Sequence, residues 1–148
     1  MDEKQGIAKN GSQPWKLPLE AAHFHALTTS HDGVVLMGRT TFELIGIMKD
    51  RDNYVLTSRT SPIPGVTLVH DLPKFLAELT TDLWIIGGAK LYESTLGVAD
   101  ELYITKIAAD FGCDTFYPLY EDRFKLMSKV AQPVENGLHY SFYVYRPK

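Results

Sequence analysis

Short runs of apolar residues that alternate with helical patterns constrain the fold of this sequence more than any other feature. Residues 34–37 read Val-Val-Leu-Met and residues 83–86 read Leu-Trp-Ile-Ile, with no polar position in either run. Runs of this length are typical of strands that are buried on both faces of a parallel sheet. Further strands are predicted at residues 54–56 and 67–69, and helices at about residues 20–29, 39–45, 73–79 and 91–96. This part of the chain predicts alternating strands and helices.

The remainder of the chain predicts strands without intervening helices. They span residues 101–107, about 124–131 and 140–146. Strands that follow one another without helical crossovers are expected to pair antiparallel. The 148 residues are the length of one domain. We therefore predict one α/β domain over residues 1–148. It has a mostly parallel sheet with an antiparallel C-terminal edge and helices on both faces, and it begins with a loop at residues 1–19.

Composition and charge argue against several classes of function. The chain has 15 Lys and Arg against 18 Asp and Glu, a formal net charge of −3, which argues against a general nucleic-acid binder. Its single cysteine, Cys113, cannot form an internal disulfide, so we expect a protein of the reducing cytoplasm. No apolar run approaches the roughly 20 residues of a membrane span, and the histidines have no metal-ligand spacing. We therefore expect no membrane, nucleic-acid or metal partner.

Two glycines after the last apolar run form the first candidate site. A strand ends there, the chain turns at Gly87 and Gly88, and a helix begins. Backbone N–H groups and the helix dipole at such a turn favour a phosphate, and glycines allow its close approach. The same residues also suit a tight strand-to-helix turn with no ligand. The segment consists of Ile86, Gly87, Gly88, Ala89, Lys90, Leu91 and Tyr92.

Two other strand ends carry arginine and hydroxyl side chains. One is followed by Arg39, Thr40 and Thr41, and the other by Ser58 and Arg59. If the strands are parallel, all three ends lie at one edge of the sheet, where open α/β sheets bind ligands. A ligand with several phosphates, such as a dinucleotide, would fit, and two arginines suit the 2′-phosphate of NADP. The alternative is a helix cap beside solvated arginines.

Glu20 lies in the third candidate site, at the start of the first predicted helix. The surrounding sequence is Pro-Trp-Lys-Leu-Pro-Leu-Glu-Ala-Ala-His-Phe, over residues 14–24. An acid in the first turn commonly complements the helix dipole. The functional alternative is a buried carboxylate that pairs with a cationic or amidine-like group of a ligand.

Taken together, these motifs resemble the dihydrofolate reductase family. The order and spacing agree with the family from Gly6 to the C-terminus. The combination is specific, although Met-Gly-Arg and Gly-Gly are weak signals singly. The matching segments are residues 6–11, 14–20 and 37–43, Phe24, Thr28, Arg51 and Asn53, and residues 86–88, 91–92, 100–105 and 114–118.

The resemblance implies a pterin pocket around Glu20. Glu20 would bind the 2-amino group and N3 of dihydrofolate, Thr105 would hydrogen-bond Glu20, and Trp15 would help to hold an ordered water. Paired, charge-assisted hydrogen bonds between a carboxylate and an amidine-like edge suit this role. Phe24, Ile45 and Met48 would line the substrate pocket, and Arg51 would clamp the glutamate α-carboxylate of the substrate.

The resemblance also implies NADPH as cofactor and hydride transfer from nicotinamide C4 to pterin C6, which yields tetrahydrofolate for one-carbon metabolism. Residues 6–14 would form a mobile loop that Asp114 holds. A monomer that binds dihydrofolate and antifolate inhibitors is expected. Arg39, Ser58 and Arg59 would hold the 2′-phosphate, Thr41 and Gly88 the pyrophosphate, and Ala8, Thr40 and the other residues of 86–92 would complete the cofactor site.

The chain departs from the family pattern at several points. It has Ala8 where glycine is usual, Ala21 where the family has a larger apolar residue, and a shorter segment at residues 46–51. Family chains begin with an apolar strand near the middle of the sheet, whereas residues 1–3 align where that strand ends. Our hypothesis is that this N-terminal strand is absent because the start was assigned at an internal methionine.

Three alternatives remain open on the sequence alone. Without the first strand, the chain could be a catalytically impaired NADPH-binding remnant or a truncated chain. A reductase of riboflavin synthesis shares the fold and the Met-Gly-Arg motif, but does not explain the motif at residues 14–20. An interaction module would bind no NADPH. Oxidation of NADPH by dihydrofolate distinguishes these possibilities.

Overall fold

The computed structural model describes residues 1–148 as a mixed α/β structure. The helices are α1 (Pro18–Thr29), α2 (Arg39–Ile45), α3 (Leu72–Glu78) and α4 (Ala89–Thr95), and a 3₁₀ helix spans Leu96–Val98. The strands are β1 (Gly6–Ala8), β2 (Val34–Gly38), β3 (Asp52–Leu56), β4 (Thr67–Val69), β5 (Trp84–Ile85), β6 (Leu102–Ile107), β7 (Thr115–Phe116), β8 (Phe124–Ala131) and β9 (Tyr140–Pro147). None of the helices has both the length and the apolar character that a membrane span needs.

The chain divides into two compact units. Ala22–Leu91 forms one of them, the parallel unit. Its sheet has the strand order β4-β3-β2-β5, and every pair in it is parallel. The carboxyl ends of these strands therefore lie at one edge, as the sequence predicts. This edge carries the turns after β2, β3 and β5.

Helices cover both faces of the parallel sheet. Successive residues of β2 point to opposite sides, so the side chains of this strand are buried against both layers. Val35 and Met37 are fully buried on one face, where Phe42 of α2 packs against them. Leu36 is fully buried on the other face, in a cluster that includes Phe75 of α3. The unbroken apolar run of β2 is thus explained by burial on two sides, and the predicted arrangement of helices is confirmed.

Met1–Ala21 and Tyr92–Lys148 form the second compact unit, the antiparallel unit. Its larger sheet has the order β6-β9-β8, with antiparallel pairing throughout. One apolar cluster surrounds the fully buried Tyr120 and includes Ile104 and Phe124. The predicted antiparallel strands at the C-terminal end of the chain are confirmed.

The sequence prediction of an irregular segment at residues 1–19 is wrong over β1. This strand pairs with β7 in the antiparallel sense, with Gly6 opposite Phe116 and Ala8 opposite Thr115. Asp2 stabilises the entry to β1, because its buried carboxylate accepts backbone hydrogen bonds from Lys4, Gly6 and Phe111 at 3.0, 2.7 and 3.2 Å. A three-residue strand with a distant partner has no periodicity that local sequence reasoning could detect.

Candidate active site

Two elements hold the Glu20 carboxylate, the first turn of α1, which belongs to the antiparallel unit, and β6. Glu20 lies in the first turn of α1, two residues after Pro18, which fits the first position of a helix because it needs no N–H donor there. The Thr105 hydroxyl of β6 donates to Glu20 Oε1 at 3.1 Å. Glu20 is half-buried. The hydrogen bond that the family resemblance implied is therefore present.

Trp15 anchors the segment that leads into α1. Its ring is 9% exposed and lies 5.3 Å from the ring of Phe111, measured between centroids. Leu17 is buried in the same cluster, together with Ile107 and Tyr140. Burial of these two apolar side chains fixes the chain just before Pro18, and with it the start of the helix that carries Glu20.

The segment at residues 6–14 is tied to Asp114. One carboxylate oxygen of Asp114 accepts from the Asn10 N–H at 2.9 Å, and the other accepts from the Thr115 hydroxyl at 3.0 Å. The Asp114 N–H donates to the Ala8 carbonyl at 3.0 Å. The hydrogen bond from Asn10, with that from Thr115, holds the pKa of the Asp114 carboxyl below its ordinary value. The ionised Asp114 carboxylate thus holds this segment through hydrogen bonds.

In the parallel unit, Arg51 is oriented by groups of α1. Its guanidinium donates to the Thr28 hydroxyl at 2.7 Å and lies 6.0 Å from the centre of the Phe24 ring. A further hydrogen bond runs from Arg51 Nε to the Lys49 carbonyl at 2.9 Å. Partial burial lowers the pKa of Arg51. The structure therefore brings two of the predicted substrate residues, Phe24 and Arg51, together.

The other two predicted substrate residues are Met48, in the loop between α2 and β3, and Ile45, the last residue of α2. Asn53 is buried and braces this loop, because its amide exchanges hydrogen bonds of 2.7 and 2.9 Å with the backbone of Met48. The same amide donates to the Arg51 carbonyl at 2.8 Å. Ile45, at the end of α2, is 49% exposed, so this large apolar side chain is available to a ligand.

The turns after β2 and β5 meet at the carboxyl edge of the parallel sheet. The Gly38 N–H donates to the Gly87 carbonyl at 2.8 Å, and the Gly87–Gly88 peptide is cis. A Cβ atom at Gly88 would lie 3.4 Å from the Thr41 hydroxyl. Any larger side chain at this position would fill the space beside Thr41. The two glycines and a hydroxyl thus line a cradle of the kind that fits a phosphate.

The predicted arginines lie at the same edge and are exposed. Arg39 pairs with Glu43 one turn later in α2, with 2.9 Å between Nε and the carboxylate. Arg59 Nε donates to the Ser61 hydroxyl at 2.8 Å. Both guanidiniums keep further N–H donors for a ligand. Thr40 and Ser58 are also exposed.

The last residues of the predicted glycine-rich site have different surroundings. Lys90 is exposed, in the first turn of α4. Leu91 is 4% exposed and belongs to the core of the parallel unit. The Tyr92 ring lies 4.9 Å from the ring of Tyr117 in the antiparallel unit. The side chains of Leu91 and Tyr92 are therefore used in packing, whereas Gly88, Ala89 and Lys90 form the turn and the helix start.

Comparison with known proteins identifies the family. The model of the dihydrofolate reductase family matches residues 1–147. The chain belongs to the dihydrofolate reductase family. It is 36% identical over 155 aligned residues to the dihydrofolate reductase of Bacillus subtilis, covering 100% of this chain and 91% of the relative. The dihydrofolate reductase of Staphylococcus aureus is 38% identical over 121 residues, covering 80% and 74%.

A solved structure agrees with this membership. The dihydrofolate reductase of Enterococcus faecalis, complexed with NADP(H) and RAB-propyl, superposes with a TM-score of 0.89 and 26% identity. The match covers 100% of this chain and 92% of that structure. The predicted fold class is thereby confirmed as that of the dihydrofolate reductase family.

Two residues of this family member were absent from the predicted site but contribute to it structurally. His70 directly follows β4, and its Nδ1 lies 2.8 Å from the Thr57 carbonyl, beside Ser58 and Arg59. The search for polar side chains directly after predicted strands, which selected the other strand ends, would also have selected His70. Asn53, which braces the α2–β3 loop, was named in the sequence only as a residue that matches the family, because its role depends on burial that the sequence does not reveal.

Proposed function

We propose that this chain reduces 7,8-dihydrofolate to tetrahydrofolate by hydride transfer from NADPH. The observation that carries the proposal is the half-buried Glu20 carboxylate at the start of α1, fixed by the Thr105 hydroxyl at 3.1 Å. Membership of the dihydrofolate reductase family supports the same activity.

Glu20 is the residue that recognises the pterin. An ionised carboxylate has acceptor sites on both oxygens, and the hydrogen bond from Thr105 occupies one site on Oε1. The remaining sites accept the 2-amino and N3 donors of dihydrofolate in paired, charge-assisted hydrogen bonds. Ligands with the same amidine-like edge compete for Glu20, so antifolates inhibit the enzyme. Trp15 holds the segment before α1 and helps to retain an ordered water near this carboxylate.

The remainder of the substrate is held by residues of the parallel unit. The Arg51 guanidinium, oriented by Thr28, binds the α-carboxylate of the glutamate part in a bidentate manner. Phe24, Ile45 and Met48 provide the apolar contacts for the pterin and the benzoyl ring. Anchoring the glutamate part of the substrate restricts its motion, which is how positioning lowers the barrier of a hydride transfer.

The carboxyl edge of the parallel sheet suits NADPH. The cradle at Gly88 and Thr41 fits a pyrophosphate, since a Cβ atom at Gly88 would take up part of it. NADPH supplies the hydride when it is bound. Arg39, Ser58 and Arg59 hold the 2′-phosphate, Thr41 and Gly88 the pyrophosphate, and Ala8, Thr40, Ile86, Gly87, Ala89, Lys90, Leu91 and Tyr92 complete the site.

The segment at residues 6–14 acts as the loop that excludes water during the reaction. Asp114 supports this role because it is bonded to the backbone of Ala8 and Asn10. We also propose that the protein acts as a cytoplasmic monomer. The free thiol of Cys113 supports the reducing compartment.

The experiment that tests the proposal mixes the purified chain with NADPH and dihydrofolate and follows the near-ultraviolet absorbance of NADPH. Loss of absorbance that requires dihydrofolate is the expected result. NADH serves as the matched cofactor, and a much lower rate with it is expected because it lacks the 2′-phosphate. Binding of NADPH without turnover would instead support the impaired remnant, and absence of NADPH binding would contradict the proposal.

A further inference from the structure

The hairpin between β8 and β9 ends in a tight turn. Asn136 and Gly137 have φ angles of 50° and 73°, and positive φ at both central residues is what a two-residue type I′ turn requires. Glu135 and Leu138 close the turn with backbone hydrogen bonds of 3.1 and 2.9 Å. Leu138 also packs against the buried cluster around Trp15. The two side chains at the tip, at positions 135 and 136, therefore start from a well-fixed backbone.

The first turn of α1 lacks a capping side chain of its own. The Leu17 carbonyl accepts the first helical hydrogen bond, from the Ala21 N–H at 2.9 Å. At this position Ser, Thr, Asp or Asn normally accepts a hydrogen bond from a free N–H of the first turn. The Leu17 side chain is apolar and buried and cannot do so. Because Pro18 has no N–H, Leu19 carries the first free donor of the helix.

Glu135 provides the missing acceptor from the other end of the chain. Both of its carboxylate oxygens lie 3.1 Å from the Leu19 nitrogen, 116 positions away in the sequence. The negative charge also complements the positive end of the helix dipole. Next to it, the Asn136 amide donates to the Lys16 carbonyl at 2.7 Å. The hairpin tip thus holds the chain on both sides of Leu17.

We propose that Glu135 is a positioning residue for Glu20. Glu20 directly follows Leu19, so a carboxylate that holds the Leu19 N–H fixes the turn from which the Glu20 side chain projects. Thr105 fixes the far end of that side chain. Glu135 acts through the backbone and does not touch the substrate. The inference rests on the proposed function, because the orientation of Glu20 matters for binding dihydrofolate.

The kinetic test compares Glu135→Ala and Glu135→Gln with Glu101→Ala as a matched control. The Glu101 carboxylate accepts from Arg146 at 3.1 Å, so the control removes a hydrogen bond of the same length that does not involve α1. Loss of a helix cap predicts an about fivefold rise of KM for dihydrofolate in Glu135→Ala, with the Kd for NADPH unchanged. Glu135→Gln keeps an acceptor oxygen, so its KM rises only about twofold. The control keeps the wild-type KM.

Amide hydrogen exchange at Leu19 and Glu20 provides a readout that does not depend on activity. Faster exchange in Glu135→Ala, but not in the Glu101→Ala control, supports the inference when the rise of KM accompanies it. Unchanged exchange, or faster exchange with an unchanged KM, overturns it. An equal loss of NADPH and dihydrofolate affinity also overturns it, because it indicates general destabilisation. A wild-type chain that does not oxidise NADPH with dihydrofolate refutes the proposed function, and this is evident before any variant is compared.

Discussion

The two units of the molecule hold their candidate functional side chains in different ways. At the strand-end turns of the parallel unit the side-chain contacts of the predicted arginines are short in sequence, as between Arg59 and Ser61, which are two residues apart. In the antiparallel unit the contacts are long: Thr105 reaches Glu20 across 85 positions, and Asp114 reaches its loop across 104. The parallel unit therefore builds its site from turns, and the antiparallel unit builds its site from tertiary contacts.

This difference predicts different consequences of damage. A strand-end turn offers mainly backbone N–H groups and small side chains. A substitution there should therefore weaken the binding of the cofactor and leave substrate binding and stability nearly unchanged. A carboxylate held by a distant strand or loop depends on the whole unit, so its alteration should change substrate binding or stability. Substitutions in each unit separate these outcomes. The Glu135 variants are expected to change substrate binding.

The largest effect is expected for Glu20→Gln. The neutral amide cannot form the charge-assisted pair with the amidine-like edge of dihydrofolate, and it presents a donor where an acceptor is needed. Loss of two such hydrogen bonds predicts a decrease of kcat/KM by about a hundredfold or more. The Kd for NADPH, measured by fluorescence titration, should stay unchanged. Exposed Glu121, changed to Gln, is the control, and a Glu20→Gln enzyme with near-normal kcat/KM would remove the pterin role assigned here.

Gly88→Val tests the parallel unit, and here we expect weaker binding of NADPH with unchanged binding of dihydrofolate. A Cβ atom at this position lies only 3.4 Å from the Thr41 hydroxyl, and the two further methyl groups of valine extend into the cradle. Overpacking of this kind predicts an about thirtyfold rise of the Kd for NADPH. At saturating NADPH, the KM for dihydrofolate should remain close to that of the wild type.

The control for this variant is Gly97→Val, since nothing lies within 4 Å of a Cβ atom at Gly97 and its φ angle is not positive. Tight NADPH binding by Gly88→Val would show that the cradle does not hold the pyrophosphate. Equal weakening of NADPH and dihydrofolate binding would instead mean that the two units do not differ in the way described above.

The same division explains how much the sequence could predict. The parallel strands were predicted nearly to the residue, as for residues 34–37 against Val34–Gly38, because burial on two faces leaves an unbroken apolar run. The turns after them were predicted because glycine, hydroxyl and arginine side chains stand directly after those runs. The local sequence pattern was sufficient for those strands and turns whose structure depends mainly on neighbouring residues.

Local pattern was insufficient for the tertiary contacts of the antiparallel unit. Strand β1 was missed because its pairing with β7 is set by a distant partner and by the Asp2 carboxylate. The Asn-Gly pair at residues 136–137 signals a hairpin turn, but nothing in the sequence states that Glu135 faces α1. The bond between Glu20 and Thr105 was expected only from the family resemblance, because no spacing relates the two residues.

Asp2→Ala should reduce stability without a direct effect on either ligand. It leaves three backbone N–H groups around a buried position without their acceptor, which predicts a loss of about 2 kcal/mol in the free energy of unfolding, measured with urea. Burial by itself would raise the pKa of the Asp2 carboxyl, but the hydrogen bonds from Gly6, Phe111 and Lys4 outweigh it and hold this pKa below the ordinary 3.8.

The sign of the pH dependence follows from this lowered pKa. The ionised carboxylate contributes its full stability above the ordinary pKa of 3.8, and the contribution is lost as the pH falls through the lower pKa of the folded state. The difference between wild type and Asp2→Ala should therefore be constant near neutral pH and shrink in strong acid. The control is Asp122→Ala, at an exposed position. A pH-independent difference would mean that packing, rather than the charge, accounts for the loss.

The smallest effect is expected for Asp114→Asn, compared with Asp32→Asn. Each carboxylate accepts a backbone N–H, from Asn10 at 2.9 Å and from Asp82 at 3.1 Å, but only Asp114 holds the loop at residues 6–14. Because the asparagine amide keeps one acceptor oxygen, we expect kcat/KM to fall only about two- to threefold in Asp114→Asn and to stay unchanged in Asp32→Asn.

The lowered pKa of Asp114 adds a second condition to this last comparison. The Asp114 carboxylate is ionised above the ordinary pKa of 3.8. Its hydrogen bond to the loop weakens only as the pH falls through the still lower pKa of the folded protein. The ratio of wild-type to Asp114→Asn activity should therefore be constant between about pH 5 and pH 8. If Asp32→Asn lowers kcat/KM as much as Asp114→Asn does, loss of any surface carboxylate is sufficient. In that case the long-range bond to the loop has no special role in the reaction.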